Sequence, residues 1–474
     1  MEQTHQFHPS LIRAYDMRGI VDETLHLEDA RALGTALGRA VLESGKRPSA
    51  VVGYDARLSS HELEESLTKG LVRAGLHVQR LGLCASPELY FASQHLQASL
   101  AIMVTGSHNP PEYNGFKLLF DNKPLFGETL QAMLQPHLAL LPQPPQPLSH
   151  NEVDVHCSRP DIRTPYIAEL CALVRPVRRL KIAWDPANAA LCPALAALCA
   201  ETKTMFDHCI INGESDGSFP AHHPDPSKAS NLQQLIATVM AEECDFGIAF
   251  DGDGDRIVAI DEQGRIVSAN QLIALYAQDV LQHHPGAAIV ADVKCSNMLF
   301  EYINKLGGQS IMAKTGHSLI RQRMFDTGAR LAGEASGHIF FADCHGGYDD
   351  ALYAAIRLIN ICGQGTTSLS ELCAALPENR ATPEIRLEVP ESQKFSIVSQ
   401  IADDLRTRQI PFNDLDGVRV NTSYGWWLIR ASNTENSLTL VAESYSANDA
   451  GAVLQAINDA LAPFSIAITA NQLV

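Results

Sequence analysis

Short apolar runs that end in polar loops rich in glycine or aspartate recur along the whole of this sequence. Such runs occupy residues 51–55, 100–104, 181–185, 246–251, 288–292 and 310–314. Helical patterns lie between them, for example at residues 29–43 and 231–243. Strands that alternate with helical segments are typical of mixed sheets. The pattern therefore predicts an α/β fold with functional loops at the ends of its strands.

The chain has 474 residues, which is too many for one hydrophobic core. A stiff, proline-rich segment spans residues 141–147, a softer break follows residue 262, and another lies near residues 376–377. In the last part, residues 384–389 alternate between apolar and polar side chains, which favours an antiparallel sheet with one solvated face. We predict three related mixed α/β domains and a C-terminal α+β domain, with bounds 1–152, 153–262, 263–377 and 378–474.

The composition argues against several classes of protein. The formal net charge is −18, whereas a nucleic-acid-binding protein is expected to carry a basic field. The longest weakly polar stretch, residues 189–200, is too short to span a membrane, and the first residues lack the features of a secretory signal. The 11 cysteines include no Cys-x-x-Cys pair. We therefore expect buried thiols in a reducing cytoplasm and no structural zinc site.

A serine follows the apolar run at residues 100–104, in the loop TGSHNP at residues 105–110. The loop displays Ser107 at the end of a strand, where ligands bind in open α/β folds. His108 is adjacent and Lys117 lies a short turn further on. A hydroxyl between a proton acceptor and a cation suits covalent phosphoryl or acyl transfer. Taken alone, the segment favours a strand-end turn that happens to contain a serine and a histidine, and only the other polar loops of the chain reverse that preference.

Three aspartates alternate with other residues in DGDGDR, residues 251–256, directly after an apolar run. Asp251, Asp253 and Asp255 offer only oxygen ligands, which suits Mg²⁺. A solvated acidic turn or a calcium loop is the alternative, and Glu262 does occupy the twelfth position of such a loop. However, strands are predicted on both sides, where a calcium loop of that type needs helices. The pattern favours a magnesium site.

Three further polar loops are candidates for ligand binding. In GEASGH, residues 333–338, Glu334 and Ser336 lie two apart and face one side of an extended loop, which suits adjacent sugar hydroxyls. In RASNTE, residues 430–435, an arginine and several hydroxyl and amide groups could form an anion site. KTGHS, residues 314–318, places a lysine and His317 at another strand end. Each loop alone is also typical of a surface turn.

Together, TGSHNP, DGDGDR, GEASGH and RASNTE resemble the α-D-phosphohexomutase family and are most similar to its bacterial phosphomannomutase/phosphoglucomutase group. All four loops occur in the family's order, and the similarity extends from the YDMRGI segment at residues 15–20 to the loop in the 430s. The resemblance implies four domains around a central cleft, each contributing one loop. It also implies an isomerase that moves phosphate between C1 and C6 of mannose or glucose phosphates.

The resemblance assigns chemistry to the first two loops. It implies that Ser107 carries a phosphate, that one Mg²⁺ per chain binds this phosphoserine together with the three aspartates, and that a hexose 1,6-bisphosphate is both intermediate and activator. It makes Lys117 the general base, for which neighbouring cations and partial burial would have to lower its pKa. It places the remaining polar side chains around the phosphoserine and the cleft: Arg18, His108, Arg256, Lys294, His317 and, at the entrance, Tyr15.

The resemblance assigns substrate recognition to the last two loops. Glu334 and Ser336 would read sugar hydroxyls, with His338 on the same loop. The non-reacting phosphate would be held by Arg430, Ser432, Asn433 and Thr434. We expect hexose phosphates as the only partners, with no nucleic acid, no membrane and a monomeric chain.

Two positions depart from the usual family pattern. Ala335 replaces the methionine usual in the mannose and glucose group, and Asn436 replaces a common proline. Asn433 and the threonine and glycine before Ser107 favour that group over the glucosamine phosphate mutases. Phosphoglucosamine mutase remains the nearest alternative. A magnesium-dependent phosphatase or kinase and a non-catalytic sugar-phosphate sensor are more distant ones, since the chain has no glycine-rich loop for ATP and retains a complete nucleophile and metal set.

Overall fold

The computed structural model describes residues 5–138, 155–378, 380–432 and 436–472. The predicted proline-rich segment at residues 141–147 lies outside them. Their strands form four separate sheets, arranged in chain order. Three of these sheets are mixed and the last is wholly antiparallel. The predicted fold class is therefore confirmed.

The first sheet contains seven strands in the order β1-β5-β4-β2-β3-β7, with β6 beside β5. Strands β2, β3 and β4 run parallel, and β4 pairs antiparallel with β5, which places the loop after β4 beside the start of β5. The elements are β1 Met17–Ile20, α1 Leu27–Glu43, β2 Ser49–Tyr54, α2 Ser60–Arg73, β3 His77–Leu83, α3 Ser86–His95, β4 Leu100–Val104, β5 Tyr113–Phe120, β6 Lys123–Pro124, α4 Gly127–Leu138 and β7 Cys157–Ser158.

The second sheet has the order β12-β11-β10-β8-β9. Its central strand β10 is parallel to β8 and forms an antiparallel hairpin with β11, so the acidic loop connects two paired strands. The elements are α5 Arg163–Ala172, β8 Leu180–Asp185, α6 Cys192–Thr202, β9 Phe206–Ile210, a 3₁₀ turn Ala229–Leu232, α7 Gln233–Ala241, β10 Phe246–Phe250, β11 Ile257–Asp261 and β12 Ile266–Val267.

The third sheet has the order β14-β13-β15-β16, and the fourth has the order β17-β20-β19-β18. The third sheet is built from β13 Ala288–Asp292, β14 Gln309–Ala313, β15 Leu331–Gly333 and β16 Ile339–Phe341, with α8 Ala269–His283, α9 Asn297–Lys305, α10 His317–Thr327, α11 Ala351–Gly363 and α12 Leu369–Ala374. The fourth is built from β17 Ile385–Glu388, β18 Val418–Asn421, β19 Gly425–Ala431 and β20 Ser437–Ser444, with α13 Glu391–Thr407, α14 Ala450–Leu461 and 3₁₀ turns Ala447–Asp449, Ala462–Phe464 and Ala470–Gln472.

One apolar cluster runs through the first three sheets and their helices. Leu89 of α3, Trp184 of β8, Tyr276 of α8 and Leu352 of α11 all belong to it and are almost fully buried. Burial of so much continuous apolar surface fixes the relative positions of these units. No helix in the described part of the chain is both long enough and apolar enough to cross a bilayer.

The fourth sheet has its own core and contacts the third through a smaller apolar group that contains Val293 and Trp426. Arg419 of β18 crosses this junction and is almost fully buried. Its guanidinium donates to the carbonyls of Val293 and Cys295 and, at 2.7 Å, to the side chain of Asn297. It also lies 3.7 Å from the centre of the Trp426 ring. A single charged side chain thus satisfies backbone acceptors of the neighbouring unit.

Arg419→Met should destabilise the protein strongly although it nearly preserves the side-chain volume. The substitution leaves buried carbonyl acceptors unpaired and removes the contact with Trp426, so we expect a loss of about 2–4 kcal/mol in the free energy of unfolding. Urea denaturation followed by tryptophan fluorescence measures it. Arg408→Met is the matched control because Arg408 is exposed just after α13 and pairs with the exposed Asp404 of that helix. Equal midpoints for the two variants would contradict this account.

Candidate active site

A cavity of about 750 Å³ opens between the four sheets and is lined by residues from all of them. Most of the residues selected from the sequence line it: Tyr15, Arg18, Ser107, His108, Lys117, Arg256, Lys294, His317, Glu334, Ser336, His338, Arg430 and Ser432. Asp251, Asp253 and Asp255 lie beneath its floor and bond directly to lining side chains. Asn433 and Thr434 lie outside the described residues.

Ser107 lies in the turn that follows β4, and its backbone has a φ of +48°. This left-handed conformation is uncommon for serine and persists only when surrounding contacts enforce it. The hydroxyl donates to Asp251 Oδ2 at 3.1 Å and lies 3.2 Å from His108 Nδ1. The loop therefore presents the buried hydroxyl of Ser107 to the acidic loop of the second sheet.

The three aspartates of the β10–β11 loop are completely buried. Asp251 Oδ1 accepts backbone hydrogen bonds from Gly254, Asp255 and Arg256 at 3.0, 3.1 and 3.3 Å. Burial and the neighbouring carboxylates raise the pKa of Asp251 well above its ordinary value. Such a concentration of buried negative charge is stable only beside cations.

A metal ion fits this loop. One oxygen from each aspartate lies within 4.8 Å of the others. Asp253 Oδ1 and Asp255 Oδ1 are buried and have no hydrogen-bond partner in the described part of the chain. Buried carboxylate oxygens without a hydrogen-bond partner are suited to bind a hard divalent cation. The loop is flanked by strands, and Glu262 instead bonds to Ser370 of α12, so the calcium-loop alternative is excluded.

Lys117 of β5 is buried beside the aspartates. Its ammonium donates to Asp253 Oδ2 at 2.6 Å and also to Asp255 Oδ2. Burial alone would lower the pKa of Lys117, but these two carboxylates outweigh it and raise the pKa well above its ordinary value. The expectation that neighbouring cations lower this pKa is wrong for this arrangement, because its nearest charges are negative.

The histidines around the nucleophile differ in their surroundings. Burial, with the charges of Arg256 and Arg18, lowers the pKa of His108 well below its ordinary value. Burial and the charge of Lys117 lower the pKa of His317 in the same way, so both rings are neutral near pH 7. His338 accepts from Arg256 Nε at 2.9 Å through Nε2, which leaves Nδ1 facing Asp349 at 3.0 Å.

The loop at residues 333–338 is a tight turn and not the extended segment that the sequence suggested. The backbone amide of Gly337 donates to the carbonyl of Glu334 at 3.0 Å, which closes the turn. Glu334 and Ser336 nevertheless share a side, because the Ser336 hydroxyl donates to Glu334 Oε2 at 2.8 Å. The amide of Gly316 donates to the other carboxylate oxygen at 2.7 Å. The pair is thus preorganised to exchange hydrogen bonds with a ligand's hydroxyls.

Two cations face the cavity near the third and fourth sheets. Arg430 of β19 donates to Asp416 Oδ2 at 3.1 Å and to the Tyr15 hydroxyl at 3.4 Å. Lys294 donates to Glu384 Oε2 at 2.9 Å. Although burial lowers the pKa of each cation, the paired carboxylate outweighs it and raises the pKa. Both side chains therefore stay charged, and their charges are able to attract an anion.

Several residues that shape this site escaped sequence analysis. Asp55 and Arg57 hold the Ser107 loop, Asp349 faces His338, and Asp416 holds Arg430. Asp55 stands at the end of an apolar run, which was a usable signal for a functional strand end. The others occur in segments with no local motif.

Comparison with known proteins gives a consistent result over the whole chain. Four domain families match: phosphoglucomutase/phosphomannomutase α/β/α domains I, II and III at residues 9–135, 165–264 and 268–379, and the C-terminal domain at residues 384–460. A phosphomannomutase/phosphoglucomutase of Pseudomonas putida is 42% identical over 95% of this chain and 94% of that protein.

Two other relatives agree. The phosphomannomutase/phosphoglucomutase of Pseudomonas aeruginosa is 39% identical over 91% of each chain. A crystal structure of a phosphoglucomutase/phosphomannomutase family protein from Burkholderia thailandensis is 32% identical and superposes with a TM-score of 0.85 over 97% of this chain and 98% of that one.

Asp253→Asn should weaken metal binding without weakening the fold. The substitution removes one ligand charge, so we expect the affinity for Mg²⁺ or Mn²⁺ to fall at least about tenfold. Because it also removes repulsion between buried carboxylates, the melting temperature of the metal-free protein should not fall substantially. Calorimetric titration and thermal denaturation measure the two quantities. Asp207→Asn is the control, since Asp207 pairs with Arg179 on the surface; unchanged metal affinity in Asp253→Asn would refute the assignment.

Proposed function

Because the chain belongs to the phosphoglucomutase/phosphomannomutase family, we propose that this cavity moves a phosphoryl group between C1 and C6 of mannose and glucose phosphates. The protein is an isomerase, a phosphotransferring mutase of hexose phosphates. One observation supports the mechanism above all others: the Ser107 hydroxyl bonds to the acidic loop in a cavity that also holds Arg430 and Lys294. A ligand with a phosphate at each end matches this arrangement.

In the proposed cycle, Ser107 enters as a phosphoserine. A free sugar hydroxyl attacks its phosphorus, the bond between phosphorus and the serine oxygen breaks, and a hexose 1,6-bisphosphate forms. The bisphosphate turns end for end, and its other phosphate returns to Ser107. Such transfers depend on positioning and on charge neutralisation more than on covalent activation. Added hexose 1,6-bisphosphate would act as the activator because it phosphorylates the free serine.

The proton of the attacking hydroxyl goes to Lys117 in this proposal. Since an ammonium cannot accept a proton, that role requires Lys117 to release Asp253 and Asp255, to which it is bonded in the structure, and to lose its own proton to solvent before the sugar hydroxyl attacks. The three aspartates, together with a phosphate oxygen on Ser107, would hold one Mg²⁺ per chain, which would neutralise charge on the transferring phosphoryl group. Arg18, which bonds to Asn109, and neutral His108 lie where they can hold the phosphoserine oxygens. Arg256 keeps His338 in a fixed orientation, and His317 stacks against that ring with centres 5.5 Å apart.

Recognition of the sugar falls to Glu334 and Ser336, which we assign to O3 and O4. His338 lies at the end of the same turn. The non-reacting phosphate would bind Arg430 and Ser432, with Asn433 and Thr434 completing the loop, while Lys294 and Tyr15 border it. Hydroxyls at O3 and O4 keep nearly the same place when the ligand turns over, so one sugar site serves both half-reactions.

The proposal includes three points about the protein as a whole. It works as a monomer, since all four loops come from one chain. It resides in the cytoplasm, which agrees with the free thiols of all 11 cysteines. Its substrates are hexose phosphates, with no nucleic acid and no membrane involved. Preference for glucosamine phosphate is the alternative, and a comparison of kcat/KM among the sugar 1-phosphates tests it.

Ser107→Ala should abolish mutase turnover, with a decrease of about a thousandfold or more, because no other group can carry the phosphoryl intermediate. Mass spectrometry of the wild-type protein should find one phosphate on the peptide that contains Ser107. Ser66→Ala is the control, because it also removes one buried hydroxyl, which donates to the Leu27 carbonyl away from the cavity. Near-native turnover in Ser107→Ala would rule out the covalent cycle.

Mannose 1-phosphate and glucose 1-phosphate should both be substrates, with kcat/KM values within about two orders of magnitude. The two sugars differ at C2, whereas Glu334 and Ser336 are assigned to O3 and O4. Ala335 makes the turn smaller than is usual, which favours tolerance. Galactose 1-phosphate, inverted at C4, should be poor because a buried polar group of the turn loses its partner. A coupled assay primed with hexose 1,6-bisphosphate measures these values; preference for glucosamine 1-phosphate, or equal use of galactose 1-phosphate, would overturn the assignment.

A further inference from the structure

A buried arginine outside the cavity holds the backbone of the nucleophile loop. Arg57 follows β2, and its side chain is completely buried. Its guanidinium donates at 2.7 Å to the carbonyl of Ser107 and at 3.0 Å to that of Tyr113. It also donates to the carbonyls of Asn109 and Pro110. One planar fork therefore binds four acceptors along residues 107–113, which cover most of the turn between β4 and β5 and the first residue of β5.

Asp55 completes this arrangement from the other side of the loop. Its Oδ2 accepts from the Thr105 hydroxyl at 2.7 Å and from the Gly106 amide at 3.1 Å. The same oxygen accepts from Arg57 Nε at 3.2 Å. The carboxylate thus fixes the start of the loop and also neutralises the buried guanidinium, which would otherwise be destabilising.

The close fit leaves little freedom for Ser107. A Cβ atom at Gly106 would lie 2.5 Å from Arg57 Nε, so only glycine admits the guanidinium here. A Cβ atom at Gly252 would lie 2.3 Å from the Ser107 carbonyl oxygen, so the acidic loop packs against the same carbonyl that Arg57 binds. Ser107 is therefore held between Arg57 and the loop of the three aspartates, and its unusual φ of +48° is maintained from both sides.

The second sheet also contacts the guanidinium directly. The Phe219 ring lies 5.5 Å from Arg57 Cζ, within the range of a cation–π interaction. Phe219 precedes the segment that leads to the acidic loop and is almost fully buried. The second domain thus contacts Arg57 through Phe219, in addition to the direct packing of Gly252 against the Ser107 carbonyl.

We propose that Arg57, supported by Asp55 and Phe219, is the positioning residue that aligns Ser107 Oγ with the aspartate loop for phosphoryl transfer. The proposal rests on the mutase function assigned above. Arg57 touches no atom that reacts. It acts through the backbone of the loop, and the geometry of its planar fork is what the role requires, because a lysine ammonium cannot span four carbonyls.

Arg57→Lys tests this role because it preserves the charge and removes the fork. A displacement of about 1 Å in a reacting group can lower the rate about a hundredfold. We therefore expect kcat to fall about a hundredfold and the rate of Ser107 phosphorylation by glucose 1,6-bisphosphate to fall in parallel. The KM for glucose 1-phosphate should change less than about threefold, since the proposed substrate contacts are intact. Hydrogen exchange of the amides in residues 105–113 should accelerate.

Arg80→Lys is the matched control. Arg80 is another mostly buried arginine of the first domain and donates through two nitrogens to Glu64, far from the nucleophile loop. It should lose stability but keep kcat and the exchange rates of residues 105–113. If Arg57→Lys does not fold, Phe219→Leu provides the second test, with a several-fold decrease in kcat expected at unchanged KM.

The outcomes separate the two proposals. Wild-type protein that shows neither turnover nor phosphorylation of Ser107 would refute the proposed function, whereas the hydrogen-exchange comparison still tests the hold of Arg57 on the loop. An active wild type with native kcat and native loop exchange in Arg57→Lys would overturn the positioning role. So would equal effects in Arg57→Lys and Arg80→Lys.

Discussion

Three carboxylates buried within five residues are the constraint on which the rest of the site depends. Asp251, Asp253 and Asp255 have lost their contact with solvent, and each raises the free energy of the others' ionised forms. The protein replaces the lost hydration with backbone amides, with hydroxyl donors and with Lys117. Because Lys117 and the Ser107 and Ser86 hydroxyls come from the first domain, the negative charge of the second domain adds polar contacts to the apolar core that the two units share.

The same constraint explains why residues that do not line the cavity, Asp55 and Arg57, hold the loop that contains Ser107. The Ser107 oxygen can act together with the three aspartates only if it is held at a fixed distance from them. A short turn after a strand is flexible unless other contacts hold it in place. Asp55 and Arg57 supply the missing rigidity with bonds to the backbone and to the Thr105 hydroxyl, so the Ser107 side chain stays available for a ligand. Groups held in place before the ligand arrives need no reorganisation during transfer.

Sequence alone predicted the parts of this structure that depend on local pattern. Continuous apolar runs such as residues 100–104 and 246–250 became strands with those bounds, since burial on both faces of a sheet leaves no alternation. The helix expected at residues 231–243 is shorter, Gln233–Ala241: a 3₁₀ turn occupies the residues before it, and Glu243 has a φ of +50°, which is not helical. Ser107 and the three aspartates could be identified from the sequence because the functional residues of each loop lie within six consecutive positions. Arg57 was not, because its partners are backbone carbonyls about 50 residues away, which no side-chain pattern records. The error for Lys117 has the same origin: its charge state depends on Asp253 and Asp255, which are distant in sequence.

The cations of the third and fourth domains are paired with carboxylates before any ligand binds. Asp416 occupies one edge of the Arg430 fork, and Glu384 bonds to Lys294, whose charge in turn lowers the pKa of Glu384 to about 2 against the effect of burial. These pairs keep both cations ordered and protonated, and they also reduce the net positive charge that a phosphate meets. A phosphate bound here shares its cations with protein carboxylates and is held less tightly than by unpaired ones. Moderate retention is what the proposed cycle requires, because in that cycle the two phosphates of one ligand exchange places within one cavity.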